Sequence, residues 1–498
     1  MRHTDIILSR NTLLLTLLTL TAFGASLAGS FHFDDYSLFA GDFWHPFPTR
    51  PLTYFSFWLN MLMAGRNPMP YHLFNLGFHL TSVWLAYFAF RRLLGAETAW
   101  LAAAIFAVHP FQAEPVNYIF ARSSLLTTLF CLAALLEWIA ERPWRATAWF
   151  ALAVLAKEEC ATFPLFLVLL DFRQLRRSRN LKATGVMLAL AAAAVIRVAL
   201  AANHPNSGAG LFAGITPAQY LLTQGTMILR YLRLLVLPWG FTVDPGISVP
   251  GLTMGLLAWA GLMALAGLAI FKFDKTKAAF WFLGGLILLL PTSSIFPAAD
   301  LAADRRLYLP LVAWAPCAAL LLRPARPVLL WAIVGVLAAL SVERTITWRT
   351  EESLWADAVG KAPAKVRPRI QLARALNPVR ALQLLQETET IAPNDPAVAS
   401  EEGRVLLVMN RPEQALIAFG RVLALEPNSA SGLNNRGVAL LQMGQAGAAL
   451  QDFERALQRD PCLFDARYNL RRLGAPPPLP SEDCYWTAEQ RQAMGVRR

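Results

Sequence analysis

Long apolar segments separated by short polar stretches fill the first 343 residues and constrain the fold more than any other feature. A helix needs about 20 apolar residues to cross a bilayer. Only 16% of the 498 residues are charged, whereas a soluble chain usually carries about a quarter. The pattern therefore predicts an all-α protein with a polytopic helical membrane domain. We expect about eleven transmembrane helices, at residues 11–29, 72–90, 98–108, 116–139, 144–156, 160–172, 183–202, 251–271, 278–291, 307–322 and 327–343.

The basic residues between these segments predict the orientation. In an alternating arrangement they all fall on one side, which the positive-inside rule assigns to the cytoplasm. We therefore expect a multi-pass protein of the inner (plasma) membrane with a cytoplasmic N-terminus and an extracytoplasmic, or periplasmic, C-terminal part. The first segment has an alternative interpretation as a signal peptide cleaved at "ASLAGS", but we favour an uncleaved helix because the rest of the chain is already embedded. The basic stretches are Arg2 and Arg10, Arg91 and Arg92, Arg142 and Arg145, 173–182, 272–277 and 323–326.

The charge and cysteine content bear on partners and compartment. The net charge of +12 does not indicate nucleic-acid binding, because the basic residues lie between apolar segments and form no patch with interleaved aromatics. The lipid bilayer is the expected partner, and nucleic acid is not. Five cysteines are too few for a disulfide scaffold. Cys462 and Cys484 are able to pair if the C-terminal part faces an oxidising compartment.

The C-terminal part contains a repeat of 34 residues, at 394–427 and 428–461, with a degenerate copy at about 360–393. Gly, Ala, Phe and Pro recur at matching positions. This period and pattern are typical of tetratricopeptide repeats, whose helix pairs stack into a solenoid. Such arrays bind peptides or proteins, so a protein acceptor or an envelope partner is expected here. The predicted domains are a membrane domain at 1–343, a linker at 344–359, a repeat domain at 360–475 and a tail at 476–498.

Ionisable and polar residues gather at the predicted non-cytoplasmic ends of the apolar segments. Each has an ordinary explanation, since Arg and Lys can extend to lipid head groups and a polar side chain can bridge two helices. Several at one leaflet favour a functional site, because ionisable groups in a membrane are costly. The residues concerned are Asp34, Asp35, Arg50, His72, His79, His109, Glu114, Arg122, Lys157, Glu158, Arg305 and Arg306.

Cations and carboxylates at a bilayer surface suit one kind of chemistry. Arg and Lys can hold a phosphate whose hydrophobic tail lies in the membrane. A carboxylate can deprotonate a hydroxyl that attacks a sugar attached to that phosphate. The lipid phosphate is then the leaving group, and no nucleotide is needed. Accordingly, the sequence has no Walker-type loop, and its cytoplasmic loops are too short for a nucleotide-binding domain.

The order of these motifs resembles the transmembrane and tetratricopeptide repeat-containing (TMTC-like) O-mannosyltransferases and their bacterial relatives, within the GT-C glycosyltransferases. The resemblance covers nearly the whole chain. It is carried by the "DD" pair, by the repeats, and by "RPLTYFSFWLN", "YHLFNLGFH", "HPFQAEPVNYIFARSSLL", "AKEECATFP" and "AADRRLYLP".

This resemblance implies a polyprenyl-phosphate sugar donor, typically mannose, and inverting transfer to Ser or Thr of a protein on the non-cytoplasmic face. It implies Asp34 as the general base, with Asp35 orienting the acceptor or assisting. No cofactor is required, although Asp34 and Asp35 could together bind a divalent metal ion. His109 and Glu114 are expected to shape the sugar pocket. The residues expected to contact the donor phosphate or sugar are Arg50, His72, His79, His109, Glu114, Arg122, Lys157, Glu158, Arg305 and Arg306, with Arg122 and Arg306 favoured for the phosphate.

Two alternatives stay open from the sequence. One is a glycosyltransferase that modifies an envelope glycolipid or polysaccharide, with the repeats as a docking module. The other is a non-catalytic scaffold whose repeats recruit envelope proteins to the membrane. A scaffold should tolerate replacement of Asp34 by Asn, whereas an enzyme should lose turnover without losing its fold.

Overall fold

A computed structural model describes residues 3–39, 49–175, 180–202, 210, 214–298, 300–477, 484, 486, 490 and 493–494. The described part of the chain is helical and contains no strand, which confirms the all-α class. Most of the predicted tail and part of the basic loop at 173–182 lie outside the described residues. The chain divides into two compact units: Met1–Asp35 with Phe43–Thr350, and Tyr36–Asp42 with Glu351–Arg498.

The first unit, called here the membrane unit, consists mainly of α-helices. Their bounds are α1 His3–Phe23, α2 Pro51–Ala64, α3 Pro68–Leu94, α4 Ala96–Val108, α5 Ala113–Asn117, α6 Arg122–Ile139, α7 Pro143–Ala156, α8 Phe163–Leu170, α9 Leu181–Ala201, α10 Pro217–Val236, α11 Leu252–Phe271, α12 Lys277–Leu289, α13 Leu311–Leu322 and α14 Pro327–Thr347.

Six helical segments of the described chain are long and apolar enough to cross a membrane. Three shorter apolar helices, α4, α12 and α13, accompany them. The chain is therefore a membrane protein, and the number of eleven spans stays a prediction. The six long segments are Arg10–Ala28, Pro68–Leu94, Ile119–Ile139, Leu181–Ala201, Leu252–Phe271 and Pro327–Thr347.

Small residues allow the helices of the membrane unit to pack closely. Helix α4 is rich in alanine, and nearly every one of its side chains is buried. Gly285 of α12 lies against the indole of Trp314 in α13, so closely that a Cβ at this glycine would stand 2.1 Å from the ring nitrogen. Such close approach is the usual way in which membrane helices associate, because lipid provides no hydrophobic driving force between them.

Three predicted boundaries differ from the structure. The predicted outer loop at 203–250 contains helix α10, which begins with a Thr216 capping box and carries Arg230 and Arg233. Its polar residues lower its hydropathy, and for that reason the search for apolar segments missed it. The predicted span at 116–139 is interrupted by a short 3₁₀ turn at Ile119–Ala121, so that α6 begins at Arg122. The predicted linker at 344–359 is mostly helical.

The second unit, called here the array unit, contains eight helices in its described residues. Gly403 lies against the ring of Phe419, and 34 residues further on Gly437 makes the same contact with Phe453. The repeated glycine-to-aromatic contact explains the period in the sequence. A disulfide joins Cys462 to Cys484. The helices are α15 Glu351–Lys361, α16 Val366–Ala375, α17 Pro378–Ile391, α18 Pro396–Val408, α19 Pro412–Leu425, α20 Ala430–Gln442, α21 Ala446–Arg459 and α22 Phe464–Arg472.

Candidate functional site

The acidic pair lies in a 3₁₀ turn, Phe33–Phe39, that follows α1. Its two carboxylates have opposite environments: Asp34 is exposed, whereas Asp35 is fully buried. Phe33, directly before the pair, has a φ of 45°, a left-handed conformation that a bulky residue rarely adopts. Strain of this kind costs about 1–3 kcal/mol and tends to occur at functional sites.

Asp35 connects its own turn to the Ile119–Ala121 turn. One carboxylate oxygen accepts a hydrogen bond from the Phe120 amide (2.7 Å), and the other accepts one from the His32 amide (2.9 Å). Burial raises the pKa of Asp35 to about 8, although these amide hydrogen bonds act to lower it. The side chain that the sequence suggested for orienting the acceptor is thus committed to the backbone.

Asp34 is held by a residue that the sequence analysis did not single out. The Tyr118 hydroxyl, just after α5, donates to the Asp34 Oδ2 at 2.8 Å. The Tyr118 ring is stacked on Trp348, with centroids 6.0 Å apart and an interplanar angle of 21°. The Arg305 guanidinium lies 5.9 Å from the centre of the Tyr118 ring. Asp34 therefore presents an exposed carboxylate beside an aromatic platform and a cation.

Arg305 and Arg306 are adjacent in sequence but have different partners. Arg305 forms an ion pair with Glu114 at 2.5 Å and a longer one with Asp300 at 3.3 Å. Arg306 donates to the Tyr220 hydroxyl and to the backbone carbonyls of Leu301 and Asp300. Every hydrogen-bond partner that the structure gives Arg306 is neutral, so its charge is not balanced by a directly bonded carboxylate.

A second ionic group forms between α7 and α8. Arg50 pairs with Glu158 at 2.6 Å, and Lys157 pairs with Glu159 at 2.5 Å while donating to Ser124. Burial would raise the pKa of Glu158, but the Arg50 guanidinium lowers it to about 2. Both cations are therefore paired with a carboxylate. The Arg50 side chain is 30% exposed, whereas the Lys157 side chain is 11% exposed.

Tyr54 of α2 connects this group to the acidic turn electrostatically. Burial raises the pKa of Tyr54, Arg50 lowers it and Asp34 raises it. Both charged side chains therefore act on the same phenol.

Arg122 is completely enclosed. Its guanidinium donates to Asn75 Oδ1 (2.7 Å), to the Tyr71 carbonyl (3.0 Å) and to Ser56. It also lies 4.5 Å from the centre of the Phe57 ring. Arg122 thus joins α2, α3 and α6, and its hydrogen bonds go to groups of the protein.

The three predicted histidines are also buried within the helices. His79 Nδ1 lies 2.8 Å from the Tyr308 hydroxyl and its Nε2 lies 3.1 Å from the Ala107 carbonyl. Because a carbonyl only accepts, Nε2 carries the proton and Nδ1 accepts. His109 accepts from the Phe111 amide and donates to the Leu235 carbonyl of α10. His72 lies against Gly29, where a Cβ would stand 2.9 Å from Nε2.

The structure thus brings Asp34, Glu114 and Arg305 together around Tyr118, and it places Arg50, Lys157 and Glu158 in a neighbouring group. His32, Tyr54, Tyr118, Arg230 and Trp348 were missed by the sequence analysis. Arg230 pairs with the buried Asp304 at 3.3 Å. The signal available for Tyr118 was its position inside "AEPVNYIFARSS", between two predicted site residues. Trp348 could not be identified from the sequence, because it follows the last apolar segment and lies in no predicted site motif.

A divalent metal ion would find few ligands here. In the described residues, no group of three or more His, Cys, Asp and Glu side chains is arranged to hold one. Asp34 and Asp35 supply two carboxylates at most, and Asp35 already accepts from two backbone amides.

An apolar cleft of about 180 Å³ opens between α7 and α9, next to Glu158. Most of its wall consists of aliphatic side chains, with two ionisable residues at its edge. It is lined by Thr49, Val154, Leu155, Glu158, Leu190, Ala193, Ala194, Arg197 and Val198. An apolar cleft adjoining an ionic group can accommodate a molecule that is part lipid and part anion.

Taken together, the fold and the site define a helical membrane protein that presents an exposed carboxylate among cations at the ends of its helices. No protein-family model matches the chain. Comparison with characterised proteins does find relatives. The chain is 27% identical over 418 residues to Protein O-mannosyl-transferase F38B6.6 of Caenorhabditis elegans, covering 74% of this chain and 60% of that protein.

Further relatives have similar names. The chain is 24% identical over 462 residues to Protein O-mannosyl-transferase TMTC3 of Mus musculus, which covers 78% of this chain and 50% of that protein. A shorter match, 38% over 125 residues, links it to Protein O-mannosyl-transferase Tmtc1 of Drosophila melanogaster, over 24% of this chain and 15% of the relative. The chain spans roughly half the length of the first two relatives.

Proposed function

We propose that this protein is a membrane glycosyltransferase that transfers a sugar, mannose, from a polyprenyl-phosphate donor to Ser or Thr hydroxyls of proteins on the non-cytoplasmic face. The observation that carries the proposal is the exposed Asp34 carboxylate, held by Tyr118 and flanked by Arg305. A general base must be reachable by the hydroxyl that it deprotonates, and Asp34 is the exposed member of the acidic pair. The names of the relatives support mannose as the sugar and protein as the acceptor.

The transfer step balances without a cofactor. Asp34 takes the proton of the acceptor hydroxyl, and the hydroxyl oxygen forms a bond to the anomeric carbon of the sugar. The bond between that carbon and the phosphate oxygen breaks, and the electron pair leaves with the lipid phosphate. In-line attack inverts the anomeric configuration. Neither a nucleotide nor a metal ion is needed for this step.

An Arg or Lys that contacts the departing phosphate would neutralise it, which stabilises the transition state in which its charge develops. Arg306 is well suited to this task because the structure gives it no directly bonded carboxylate. Arg305 and Arg50 are partly exposed but already paired with Glu114 and Glu158. A phosphate would share or displace those carboxylates.

Arg122 is better suited to a structural role than to the phosphate contact expected from the sequence. It is 0% exposed, and its guanidinium is bonded to Asn75, Ser56 and Tyr71. A phosphate could reach it only by displacing several of these hydrogen bonds. We assign Arg122 to holding α2, α3 and α6 together beneath the site.

The cleft between α7 and α9 is the proposed entry for the donor's polyprenyl chain. Its wall is mainly aliphatic, and its edge meets Glu158, the partner of Arg50. A chain lying there would carry its phosphate toward the ion pair of Arg50 and Glu158. The array unit is proposed to face the extracytoplasmic side and to bind a protein acceptor or an envelope partner. The disulfide between Cys462 and Cys484 supports an oxidising compartment, where such bonds persist.

The test is glycopeptide mass spectrometry of the envelope fraction from cells that express the wild type or Asp34→Asn at matched levels. Loss of the base should reduce hexose on Ser and Thr by at least about 100-fold, the usual contribution of general base catalysis. The matched control is Asp274→Asn, which removes an exposed carboxylate in the loop after α11 and should leave glycosylation unchanged.

Other outcomes redirect the proposal. If the glycopeptides stay unchanged in Asp34→Asn while an envelope glycolipid loses its hexose, then the acceptor is a lipid or polysaccharide. If neither changes, the scaffold alternative replaces the enzyme.

A further inference from the structure

Alternate helices of the array unit differ in charge. The even-numbered helices α16, α18, α20 and α22 contain eight basic and three acidic residues. The odd-numbered helices α15, α17, α19 and α21 contain five basic and eight acidic residues. One set of helices therefore has a surplus of positive charge, and the other has a surplus of negative charge.

Contacts between the helices show which set lies on the inside of the array. The backbones of the even-numbered helices approach one another in turn, α16 with α18, α18 with α20 and α20 with α22. Side chains also join them, because Arg374 of α16 donates to Glu401 of α18 and Asn469 of α22 donates to Asn434 of α20, both at 3.0 Å. No comparable backbone approach joins successive odd-numbered helices in the described array. The more closely spaced layer of a curved stack is its inner one, so the basic layer forms the inner face.

A buried carboxylate holds two half-exposed arginines on this inner face. The side chains of Arg374 and Arg404 are each 50% exposed, whereas that of Glu401 between them is 3% exposed. Arg374 donates through Nε to one carboxylate oxygen at 3.0 Å, and Arg404 donates through Nε to the other at 2.8 Å. Among the described residues, the two Nη groups of Arg374 have no further partner. One carboxylate offsets only one of the two cations, so this group keeps a positive charge and unused N–H donors.

Arg472 places a second cation on the same layer. It lies two periods of the repeat after Arg404, so the two arginines occupy equivalent positions on α22 and α18. The Arg472 side chain is exposed and has no hydrogen bond or ion pair within the described part of the chain. Tyr468 is 40% exposed and shares the face of Arg472, because residues four apart in a helix are neighbours.

The outer layer offers no such surplus. Arg380 of α17 pairs with Glu352 of α15, and Arg421 of α19 pairs with Glu389 of α17. Acidic residues outnumber basic ones on these helices. An acidic ligand would therefore be attracted to the inner face and repelled by the outer one.

We propose that the inner face of the array unit binds an extended peptide segment rich in Asp and Glu, with Arg404 and Arg472 as its two main contacts. Guanidinium groups bind carboxylates through paired N–H donors. A concave face accommodates a peptide strand better than a flat bilayer, which favours a peptide over lipid head groups as the occupant. The inference builds on the proposed role of the array unit in binding a partner, and it adds the chemistry of that partner.

The helix spacing sets the distance between the two acidic contacts of such a peptide. Packed helices lie about 8–10 Å apart, so α18 and α22, with α20 between them, are separated by roughly 16–20 Å. An extended chain covers this distance in about five or six residues. The partner segment should therefore carry acidic residues at both ends of such a stretch.

The first measurement is the fluorescence anisotropy of a fluorescein-labelled peptide of alternating Asp and Ser, titrated with the full-length protein in a nonionic detergent. The reference peptide has Asn in place of every Asp, so that only the charge differs. The acidic peptide should bind about tenfold more tightly or better, and this advantage should shrink as salt is added, because exposed charges are screened. Equal binding of the two peptides, or no binding of the acidic one at millimolar concentration, would overturn the proposal.

The second measurement repeats the titration with variants of the inner face. Arg472→Gln should weaken binding of the acidic peptide about threefold, as expected for an exposed ion pair. Arg404→Gln should weaken it about tenfold, because Arg404 is half-buried, while Glu401 keeps Arg374 as its partner. The matched control is Arg455→Gln, which removes an exposed cation from α21, and this cation has no partner among the described residues either.

Arg455→Gln should leave the affinity unchanged. If it weakened binding as much as Arg472→Gln, then total charge would explain the result, and the inner face would have no specific role. Phosphatidylglycerol added to the micelles is the test for lipid. Displacement of the peptide by equimolar phosphatidylglycerol, but not by phosphatidylcholine, would assign the inner face to anionic head groups and overturn the proposal.

Peptide binding needs neither a sugar donor nor turnover, so its outcome is separate from that of the glycopeptide experiment. A protein that binds the acidic peptide through Arg404 and Arg472 but adds no hexose to Ser or Thr would refute the proposed function and support this inference. A protein that adds hexose but does not distinguish the two peptides would refute this inference alone.

Discussion

The array unit and the membrane unit are both helical, but they are assembled from different kinds of contact. In the array unit the principal contacts join neighbours in sequence, as Gly403 with Phe419 and Gly437 with Phe453. In the membrane unit the site joins Asp34 to Tyr118, and Tyr118 to Trp348, across 84 and 230 residues of chain. The first kind of contact can be predicted from the sequence because it recurs with a fixed period. The second kind leaves no periodic pattern in the sequence.

This contrast has an energetic side. A defect in an array of stacked repeats is felt mainly by its neighbours, because each repeat contacts only the next. The loss of a buried polar group that joins three helices destabilises all three. The two units should therefore differ in how far the effect of one substitution spreads.

The largest effect is expected from Arg122→Met. It leaves Asn75 and the Tyr71 carbonyl, which Arg122 now satisfies, without their buried donor. Each buried polar group left without its partner costs about 1–3 kcal/mol, and the substitution leaves more than one, so the membrane unit should lose much of its thermal stability in detergent. The measurement is the unfolding temperature of the membrane unit, monitored through hydrogen exchange of its amides.

Arg92→Met is the control for this substitution, because Arg92 is exposed at the end of α3 and should matter by less than about 0.5 kcal/mol. Equal stabilities for the two variants would contradict the structural role of Arg122. Retained protection of the array unit in Arg122→Met would sharpen the contrast between the units.

A smaller and local effect is expected from Gly437→Ala in the array unit. A Cβ at this position would stand 2.6 Å from the Phe453 ring, and that ring is fully buried. Overpacking of this kind costs about 1–3 kcal/mol. Hydrogen exchange of the full chain should accelerate in α20 and α21 and stay unchanged in the membrane unit.

Gly447→Ala provides the control, because nothing lies within 4 Å of a Cβ at Gly447. Alanine there should be neutral or slightly stabilising, since glycine weakens a helix by about 0.5–1 kcal/mol. Slower exchange in Gly437→Ala than in Gly447→Ala would show that the glycine-to-aromatic contact does not set the packing.

The smallest effect concerns the pH dependence of the acidic turn. Burial raises the pKa of Asp35 to about 8, whereas an unfolded aspartate ionises near pH 4. Between about pH 4 and 8 the folded chain keeps a proton that the unfolded chain has lost, so the contribution of Asp35 to stability falls as pH rises through this range.

The check is the stability difference between wild type and Asp35→Asn, which does not titrate, from pH 7 to pH 9. The wild type should lose about 1 kcal/mol of stability relative to Asp35→Asn as the pH rises over this range. A difference that moved in favour of the wild type would mean that the amide hydrogen bonds outweigh burial.

The sequence predicted the all-α class and the presence of apolar helices, which the structure confirms. Apolar segments predicted the helical membrane unit, and the 34-residue spacing of Gly403 from Gly437 and of Phe419 from Phe453 predicted a repeat. It failed at α10, because Arg230 and Arg233 interrupt the apolar pattern from which spans are inferred. A helix stabilised by contacts with its own protein does not need the hydropathy that a lipid-facing helix needs.

For the site, the sequence identified residue types and tertiary structure decided their environments. Asp34 and Asp35 are identical in type and adjacent, and both were predicted as site residues. Only the fold makes one of them exposed and the other buried, because successive residues of a tight turn point in different directions. In the same way Arg122 and Arg306 looked alike in sequence, while the structure encloses the first and leaves the second partly exposed.

What the sequence by itself determined is that the chain is helical, that several of its stretches are apolar enough for a membrane, and where a sequence repeat lies. These properties depend on neighbours along the chain, through helix periodicity and apolar content. What only the tertiary structure decided is that Tyr118 reaches Asp34, that Trp348 supports Tyr118, and that Asp35 is committed to the backbone. These depend on burial and on distance in space, and segments far apart in sequence meet only after the helices have packed.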